Sequence, residues 1–198
     1  MNERFTVVIA GAGLTGLTIA ALLAQSRYAD SLDVTVVDAA PRPSHDPDAD
    51  VALRVSAIAN GSAELLDAIG AWQSVIATRA CPYDRMRVWD ESSAPDGATA
   101  LRFDAAEFAV PQLGHIVENA LLQHALLEVL DKSGTRLLFD SPINAMHREN
   151  NQYRLDAGAA GMLRADLVVG ADGVQSFVRN SVGIETRERP YGQSAFVT

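Results

Sequence analysis

The stretch FTVVIAGAGLTGLTIAALLAQSRYADSLDVTVVD, residues 5–38, decides the fold. It opens with FTVVIA (residues 5–10), a short apolar run rich in β-branched residues, as expected of a strand covered on both faces of a parallel sheet. A glycine-rich turn and the helical run LTIAALLAQ follow, and DVTVVD (residues 33–38) reads as a second apolar strand. Strand, glycine turn, helix and strand in this order predict a βαβ unit and the α/β class of fold.

Three glycines occupy the turn with the spacing G-x-G-x-x-G, directly after a strand and at the start of a helix. Gly11 permits the tight turn, Gly13 lets the backbone approach a pyrophosphate, and Gly16 lets helix and strand pack closely. The amino terminus of the helix, at Leu14 and Thr15, offers free N–H groups and a partial positive charge to phosphates. The turn therefore predicts a phosphate-binding site.

Asp38 ends the second strand, at a distance from the glycine turn that suits an acid accepting hydrogen bonds from the ribose of an adenosine. Its charge would repel a 2′-phosphate, so NADP is not expected at this site. The order and spacing of the glycine turn, the helix and the acid predict a dinucleotide site. They do not decide between FAD and NAD.

Six further stretches of regular structure or loop are predicted from periodicity and turn residues. They are a solvated loop over 39–50, a helix over 60–70, antiparallel strands over 85–90 and 99–103, an amphipathic helix over 116–131 and short strands over 135–169. In the first of these helices, Asn60 is the expected N-cap, and Leu65, Leu66 and Ile69 share one face.

The segment LVVGADGVQSFVR, residues 167–179, has the same order of elements as the first motif: a strand, a glycine-containing turn and a helix. A buried strand ends at Gly170, a turn carries Asp172 and Gly173, and a helix is expected to start near Ser176. This arrangement can place a carboxylate and backbone N–H groups beside a second part of a cofactor. The alternative is an ordinary strand-to-helix turn in which Asp172 caps the helix.

Composition limits the functions of the chain. A net charge of −9, from 16 basic and 25 acidic residues, argues against a nucleic-acid partner, which needs a basic surface. The single cysteine, Cys81, suits a reducing compartment, and no signal peptide precedes the first strand, so a cytoplasmic location is expected. Cys81, His115 and His124 are expected to have structural roles, since no partner at metal or triad spacing accompanies them. No catalytic residue and no metal ligand is predicted.

The motifs together resemble those of a known family. The pattern GxGxxGxxxAxxL, completed by Ala20 and Leu23, is similar to the large FAD family that includes glutathione reductase and the aromatic hydroxylases. GADGVQSFVR looks like the DG motif of the flavoprotein monooxygenases related to para-hydroxybenzoate hydroxylase. RVSAI (residues 54–58), VWD (88–90) and HIVEN (115–119) resemble the aromatic-ring hydroxylases of ubiquinone biosynthesis. The resemblance covers nearly the whole chain.

The resemblance implies a Rossmann-like FAD-binding domain of the glutathione-reductase type, with the beginning of an antiparallel substrate domain. Residues 1–80 and 104–183 would form the FAD-binding domain, and residues 81–103 and 184–198 a truncated substrate domain. The chain ends at GQSAFVT, which reads as a strand of the substrate domain. A fragment that is not active alone is therefore expected.

The resemblance also extends the set of cofactor contacts. Arg54, in the segment that carries Ser56, would reach the FAD pyrophosphate or the flavin-side ribose with its fork of donors. Asn119 stands where the related hydroxylases often carry an arginine near FAD, and Arg179 would hold the DG segment or meet the phosphates of NAD(P)H. The positions expected to contact cofactor are then Gly11, Gly13, Leu14, Thr15, Gly16, Asp38, Arg54, Ser56, Asn119, Asp172, Gly173 and Arg179.

The implied activity is hydroxylation of an aromatic ring in a polyprenyl phenol or quinone precursor, with FAD as cofactor, NAD(P)H as co-substrate and O2 as oxidant. The implied partners are a ubiquinone-biosynthesis protein complex and, peripherally, a membrane. Two alternatives stay open: a flavoprotein hydroxylase of a soluble aromatic, and a non-catalytic truncated module that acts by assembly. A plain NAD dehydrogenase is disfavoured by GADGVQSFVR.

Overall fold

The structure is a computed structural model that describes residues 4–192 and 194. The strand expected at GQSAFVT falls on residues 192–198, so it lies largely outside the described residues. The chain divides into two compact units, unit 1 (Met1–Asp46 and Gln123–Thr198) and unit 2 (Pro47–Leu122). The domain boundaries proposed from the sequence, after residues 80, 103 and 183, stay a prediction.

Strands and helices follow one another in the described chain as the α/β class requires. The strands are β1 (Phe5–Ala10), β2 (Leu32–Val37), β3 (Val55–Ala59), β4 (Cys81–Tyr83), β5 (Arg85–Val88), β6 (Leu101–Asp104), β7 (Gly114–Glu118), β8 (Arg136–Leu138), β9 (Ala145–Glu149), β10 (Gln152–Asp156), β11 (Met162–Ala165) and β12 (Leu167–Gly170). The helices are α1 (Leu14–Ala24), α2 (Asn60–Ala68), α3 (Trp72–Thr78), α4 (Asn119–Asp131) and α5 (Phe177–Ser181).

Unit 1 is built on a four-stranded parallel sheet with the strand order β12-β1-β2-β8. The predicted βαβ unit is confirmed as β1, α1 and β2. Strand β1 pairs with β12 and β2, and its residues 7–10 are buried, as expected of a central strand covered on both faces. A three-stranded antiparallel sheet, β11-β10-β9, shares its core with the parallel sheet. The buried residues of this core are Val8, Val37, Leu155, Ala157, Leu163 and Ala165.

Unit 2 contains a three-stranded antiparallel sheet, β3-β7-β4, and the hairpin β5-β6. Helices α2 and α3 bury Ala63, Leu66, Trp72 and Val75. The antiparallel pair predicted over 85–90 and 99–103 is confirmed as β5 and β6, with shorter strands. Among the described residues of both units, no helix is long and apolar enough to cross a bilayer.

Three local predictions were wrong. Residues 116–118 belong to β7 rather than to a helix, because their backbone pairs with β3 and the helix starts only at Asn119. Asn60 is the first residue of α2 instead of its N-cap, and its amide donates to Gln112 O at 2.7 Å. Leu65 is 43% exposed, whereas Leu66 is buried.

The strand before the second glycine turn is more exposed than its composition suggests. Leu167 is 46% exposed, because β12 is an edge strand of the parallel sheet and is paired only with β1. Apolar composition predicted the strand correctly but not its place at the edge.

Asp166 ties the start of β1 to β10 and gives unit 1 an acid-sensitive contact. Its Oδ2 accepts from Thr6 N and its Oδ1 from Gln152 Nε2, both at 2.8 Å, and these bonds lower the pKa of the Asp166 carboxyl below 3.8, the backbone bond contributing most. Because the pKa of Asp166 is lower in the folded chain than in the unfolded chain, these bonds stabilise the fold fully above the pKa of the unfolded state. This stabilisation is lost as pH falls through the pKa of the folded state.

We therefore expect Asp166→Asn to lower the free energy of unfolding at pH 7, with the difference from wild type shrinking as pH falls below about 3.8. Urea unfolding at several pH values measures the difference. Asp33→Asn, which removes an exposed carboxylate of β2, is the matched control for the loss of one surface charge. A difference that stays constant down to pH 3 would contradict this role of Asp166.

Candidate cofactor site

The first glycine turn joins β1 to α1 and lies against the second. Gly11 has φ = 103°, a left-handed conformation that favours glycine, and its N–H donates to Val37 O at 2.8 Å. A Cβ on Gly11 would lie 2.3 Å from Ala171 O. The N–H of Ala171 in turn donates to Ala10 O at 2.8 Å. The structure thus brings together the two turns that the sequence singled out.

No side chain of the described residues caps the amino terminus of α1. Gly13 is its N-cap, with extended backbone, no side-chain cap and no acidic residue in the first turn. The N–H groups of Leu14, Thr15 and Gly16 precede the first intrahelical bond, which Leu17 N donates to Gly13 O at 3.0 Å. A Cβ on Gly13 would meet nothing within 4 Å. The terminus combines donors that the helix does not use with room for an anion.

Gly16 allows helix α1 to pack closely against the glycine turn. It is buried, and a Cβ there would lie only 1.9 Å from Gly11 O and 3.1 Å from Gly11 C. Helix and turn therefore touch through backbone atoms, in agreement with the close packing predicted for the third glycine.

Asp38 stands at the carboxyl end of β2, half-buried, with its carboxylate turned to backbone donors. Its Oδ2 accepts from Ala12 N at 2.6 Å, inside the glycine turn, and its Oδ1 accepts from Ala40 N at 2.8 Å. The two bonds fix the carboxylate beside the turn. A carboxylate oxygen has more than one acceptor site, so both oxygens can still accept from a ligand hydroxyl.

The second turn is organised by its acid. Asp172 accepts from Ser176 Oγ and, at 3.1 Å, from Val178 N, and Ser176 Oγ accepts from Arg179 N at 3.0 Å. Ser176 is thus the N-cap of α5, near the predicted start of the helix. The capping alternative for Asp172 describes real contacts of this residue: its carboxylate anchors the first turn of α5.

Both turns line one cavity of about 440 Å3 at the carboxyl ends of β1, β2 and β12, the edge at which open α/β sheets bind ligands. Its lining residues are Ala10, Gly11, Gly13, Val37, Asp38, Ala39, Ser141, Pro142, Ile143, Ala171, Asp172, Gly173, Gln175 and Phe177. Five predicted site residues therefore share this cavity, and the backbone of Leu14 and Thr15 begins the helix at its wall.

The sequence reasoning missed one wall of the cavity. Ser141, Pro142 and Ile143 follow β8, and Ser141 N donates to Asp38 O at 2.9 Å. The signal was present as DSPI at residues 140–143, a cluster of turn residues after a short strand. Only the pairing of β8 with β2 shows that this turn reaches the Asp38 end of the sheet.

Arg179 does not line this cavity. It lies on a second cavity of unit 1, of about 410 Å3, together with Met146, Tyr153, Val168 and Ile184. Its Nε is buried and has no hydrogen-bond partner among the described residues. Gly170 and Ser176 of the second turn also line this second cavity, so Arg179 stays beside the second turn but on a different cavity from the one that both turns share.

Arg54, Ser56 and Asn119 meet in unit 2. Ser56 Oγ donates to Asn119 Oδ1 at 2.6 Å, and Asn119 N donates to Arg54 O at 3.0 Å. Arg54 is exposed on the segment that enters β3, and Asn119 is the first residue of α4. The three positions form one hydrogen-bonded group, with the guanidinium at the surface.

Of the residues expected to have structural roles, His115 is buried and Cys81 is not. His115 is buried against Trp72, with ring centroids 5.2 Å apart, as a core histidine would be. Cys81 is exposed, so the expectation that it serves in packing was wrong. The reason is that β4, which contains it, is an edge strand paired only with β7. In the described part of the chain, no group of three His, Cys, Asp or Glu side chains could hold a metal ion.

The cavity of unit 1 fits the adenosine and pyrophosphate of a dinucleotide. Gly13 leaves open the space where a Cβ would stand, the N–H groups of Leu14, Thr15 and Gly16 are available to bind an anion, and Asp38 offers acceptors for hydroxyl groups. Donors for phosphate and an acid for ribose are the two chemistries that such a ligand needs.

Comparison with known proteins agrees with this geometry. Residues 4–196 match the family model described as FAD binding domain. The chain is 35% identical over 197 residues to 3-demethoxyubiquinol 3-hydroxylase of Escherichia coli (strain K12), covering 99% of this chain and 48% of that protein. It is 36% identical over 196 residues to ubiquinone hydroxylase UbiL of Rhodospirillum rubrum, covering 96% of this chain and 42% of that protein.

A solved structure shares the fold. The chain superimposes on Pseudomonas aeruginosa PqsL, determined in complex with 2-aminobenzoylacetate, with a TM-score of 0.70 and 25% identity, covering 96% of this chain and 48% of that one. The chain thus spans about half the length of the curated relatives it matches.

Proposed function

Since this chain belongs to the family of FAD binding domains, we propose that the cavity between its two glycine turns holds the adenosine and pyrophosphate part of FAD. The observation that carries the proposal is the meeting of the free amino terminus of α1, the open position at Gly13 and the fixed carboxylate of Asp38. The amides of Leu14, Thr15 and Gly16 would bind phosphate, and Asp38 would accept from the ribose hydroxyls.

The other positions expected to contact the cofactor are proposed from the sequence motifs that carry them. Asp172 and the backbone of Gly173 would face FAD from the second turn, where the anchored carboxylate keeps the turn in place. Arg54 would meet the pyrophosphate or the flavin-side ribose, and Ser56 and Asn119 would hold the backbone from which it extends. Arg179, on its separate cavity, would meet the phosphates of NAD(P)H or hold the segment.

The whole protein is proposed to be a FAD-dependent monooxygenase that hydroxylates the aromatic ring of a polyprenyl phenol or quinone precursor in ubiquinone biosynthesis. The named functions of the Escherichia coli and Rhodospirillum rubrum relatives support this substrate class. Bound FAD would take electrons from NAD(P)H and activate O2. The described residues bind and orient the cofactor, and none of them is assigned a proton-transfer step.

The partners and the compartment belong to the same proposal. A prenylated substrate is insoluble in water, so a ubiquinone-biosynthesis protein complex or peripheral contact with a membrane would deliver it. The net charge of −9 does not support a nucleic-acid partner. A cytoplasmic location is proposed because the single, exposed Cys81 suits a reducing compartment.

The activity is tested on the longer protein that contains this chain, purified with FAD. We expect O2-dependent oxidation of NADH or NADPH that is stimulated by a short-chain prenylated phenol, with a hydroxylated product detected by mass spectrometry. Turnover of a water-soluble phenol but not of the prenylated one would favour the soluble-substrate alternative. A protein that binds FAD but forms neither product would contradict the monooxygenase assignment.

A further inference from the structure

Ala12, the residue between the first two glycines of the turn, has both of its backbone groups bonded to side chains. Its N–H donates to Asp38 Oδ2 and its carbonyl accepts from Gln123 Nε2, both at 2.6 Å. Gln123 is half-buried on α4, in the part of that helix that belongs to unit 1, so all three residues lie in one unit. No motif in the sequence points to Gln123, and only the fold brings its amide to the glycine turn.

The bond from Gln123 fixes the peptide plane between Ala12 and Gly13. This peptide is trans, since the described residues contain no cis peptide bond. In a planar trans peptide the C=O and the N–H point in opposite directions. Ala12 is buried and its carbonyl is turned to Gln123, so the N–H of Gly13 is turned to the opposite side. Gly13 itself is exposed and lines the cofactor cavity.

The N–H of Gly13 is available to a ligand. Among the described residues no protein acceptor bonds to it. Glycine permits many backbone conformations, so the plane between Ala12 and Gly13 would turn over easily without a second contact. If it turned over, the Ala12 carbonyl oxygen would face the cavity and repel a phosphate, and the N–H would be withdrawn. The contact with Gln123 opposes this rotation.

We propose that Gln123 is a positioning residue that holds the N–H of Gly13 toward the phosphates of the dinucleotide, acting through the carbonyl of Ala12. The inference rests on the proposed function of the cavity and adds one donor to the amides at the start of α1. Asp38 fixes the preceding peptide from its other side, so the turn is ordered before a ligand arrives. Order established beforehand lowers the cost of binding. Gln123 itself does not contact the ligand in this account.

The first test compares ligands with and without phosphate on the purified 198-residue chain. Gln123→Met keeps the length of the side chain and removes the donor. We expect it to weaken the binding of FAD and of ADP about tenfold, the loss typical of one hydrogen bond to a charged group. Its affinity for adenosine, measured by ligand-observed NMR, should stay that of wild type. A merely structural role would weaken ADP and adenosine equally.

Gln152→Met is the matched control. It removes the same kind of bond elsewhere in unit 1, from Gln152 Nε2 to Asp166 Oδ1 at 2.8 Å, and should leave both affinities unchanged. Gln123→Asn keeps the amide but is too short to reach Ala12 O. It should show the same phosphate-dependent loss, and it replaces Gln123→Met if that variant does not fold.

The second test needs no variant. In isotope-labelled wild-type protein, the amide proton of Gly13 should shift downfield when ADP binds, because a phosphate is a charged acceptor. Adenosine should cause no such shift. In Gln123→Met the shift caused by ADP should be smaller than in wild type.

The outcomes separate the two proposals. A loss confined to ligands that carry phosphate, together with the downfield shift of the Gly13 amide, supports positioning. Wild-type affinity in the Gln123 variants, equal losses for ADP and adenosine, or a Gly13 amide that ADP does not shift overturns it while the FAD site stands. A folded wild-type chain that binds neither FAD nor ADP overturns the proposed function itself, and the positioning role with it.

Discussion

Gly16→Ala is expected to destabilise the chain by about 3 kcal/mol or more, because the added Cβ would stand 1.9 Å from a backbone oxygen. The neighbour is Gly11 O, part of a turn that is itself locked against Ala171 O, so no flexible side chain can move aside. The intrinsic helix propensity works in the opposite direction, since alanine is favoured over glycine by about 1 kcal/mol. The expected loss therefore comes from backbone packing alone.

Gly13→Ala is the matched control for this prediction. It lies in the same motif, its backbone has φ = −71°, and a Cβ there meets nothing within 4 Å. We expect its free energy of unfolding to fall by no more than about 1 kcal/mol, the size of an unfavourable change at an N-cap. Urea unfolding of both variants measures the difference, and a Gly16→Ala protein as stable as Gly13→Ala would contradict the packing role of Gly16.

Gly13→Trp is expected to weaken FAD binding by more than about a hundredfold while the fold persists. The backbone at residue 13 accepts any side chain, and the indole would occupy the space in front of the α1 amino terminus. It would both block the approach of phosphate and cover the N–H groups of Leu14 and Thr15. Fluorescence titration with FAD measures the loss.

Two observations separate this effect from misfolding. Gly13→Trp should keep the far-UV circular dichroism and the urea midpoint of wild type, and Gly13→Ala should bind FAD with a smaller loss, of about tenfold or less. Wild-type affinity in a folded Gly13→Trp protein would show that the dinucleotide does not lie at this helix terminus.

The glycine turns were predictable because their determinants are local. Each glycine of G-x-G-x-x-G meets a local backbone requirement. Gly11 has a positive φ, Gly13 leaves an open position, and Gly16 allows a backbone contact. The α/β class followed from the same stretch, since two buried strands around one helix leave few other arrangements. Asp172 was recognised as important from its place in the second turn, and the structure adds that it anchors α5.

The features that the sequence did not predict depend on distant pairing. Residues 116–118 are apolar and adjoin a helical run, and only their pairing with β3 makes them a strand. Cys81 is exposed because β4 lies at the edge of its sheet. Arg79 and Glu118 lie far apart in sequence and have no pattern that links them, so their ion pair appears only in the fold.

The placing of Arg179 on the second cavity of unit 1 also depends on distant pairing. The motif alone implied that Arg179 holds the second turn or meets the phosphates of NAD(P)H, and the structure adds that it lines the cavity beside Met146 and Tyr153. A motif fixes the spacing of residues along the chain, and the neighbouring strands decide which cavity each side chain enters.

The most direct test of the central claim is a fluorescence titration of the purified 198-residue chain with FAD, and with NAD for comparison. Saturable binding of FAD, with none for NAD and none in Gly13→Trp, is the result that a FAD site at the two glycine turns predicts. A folded chain that leaves FAD fluorescence unchanged, or one that binds FAD equally well with tryptophan at residue 13, would contradict it.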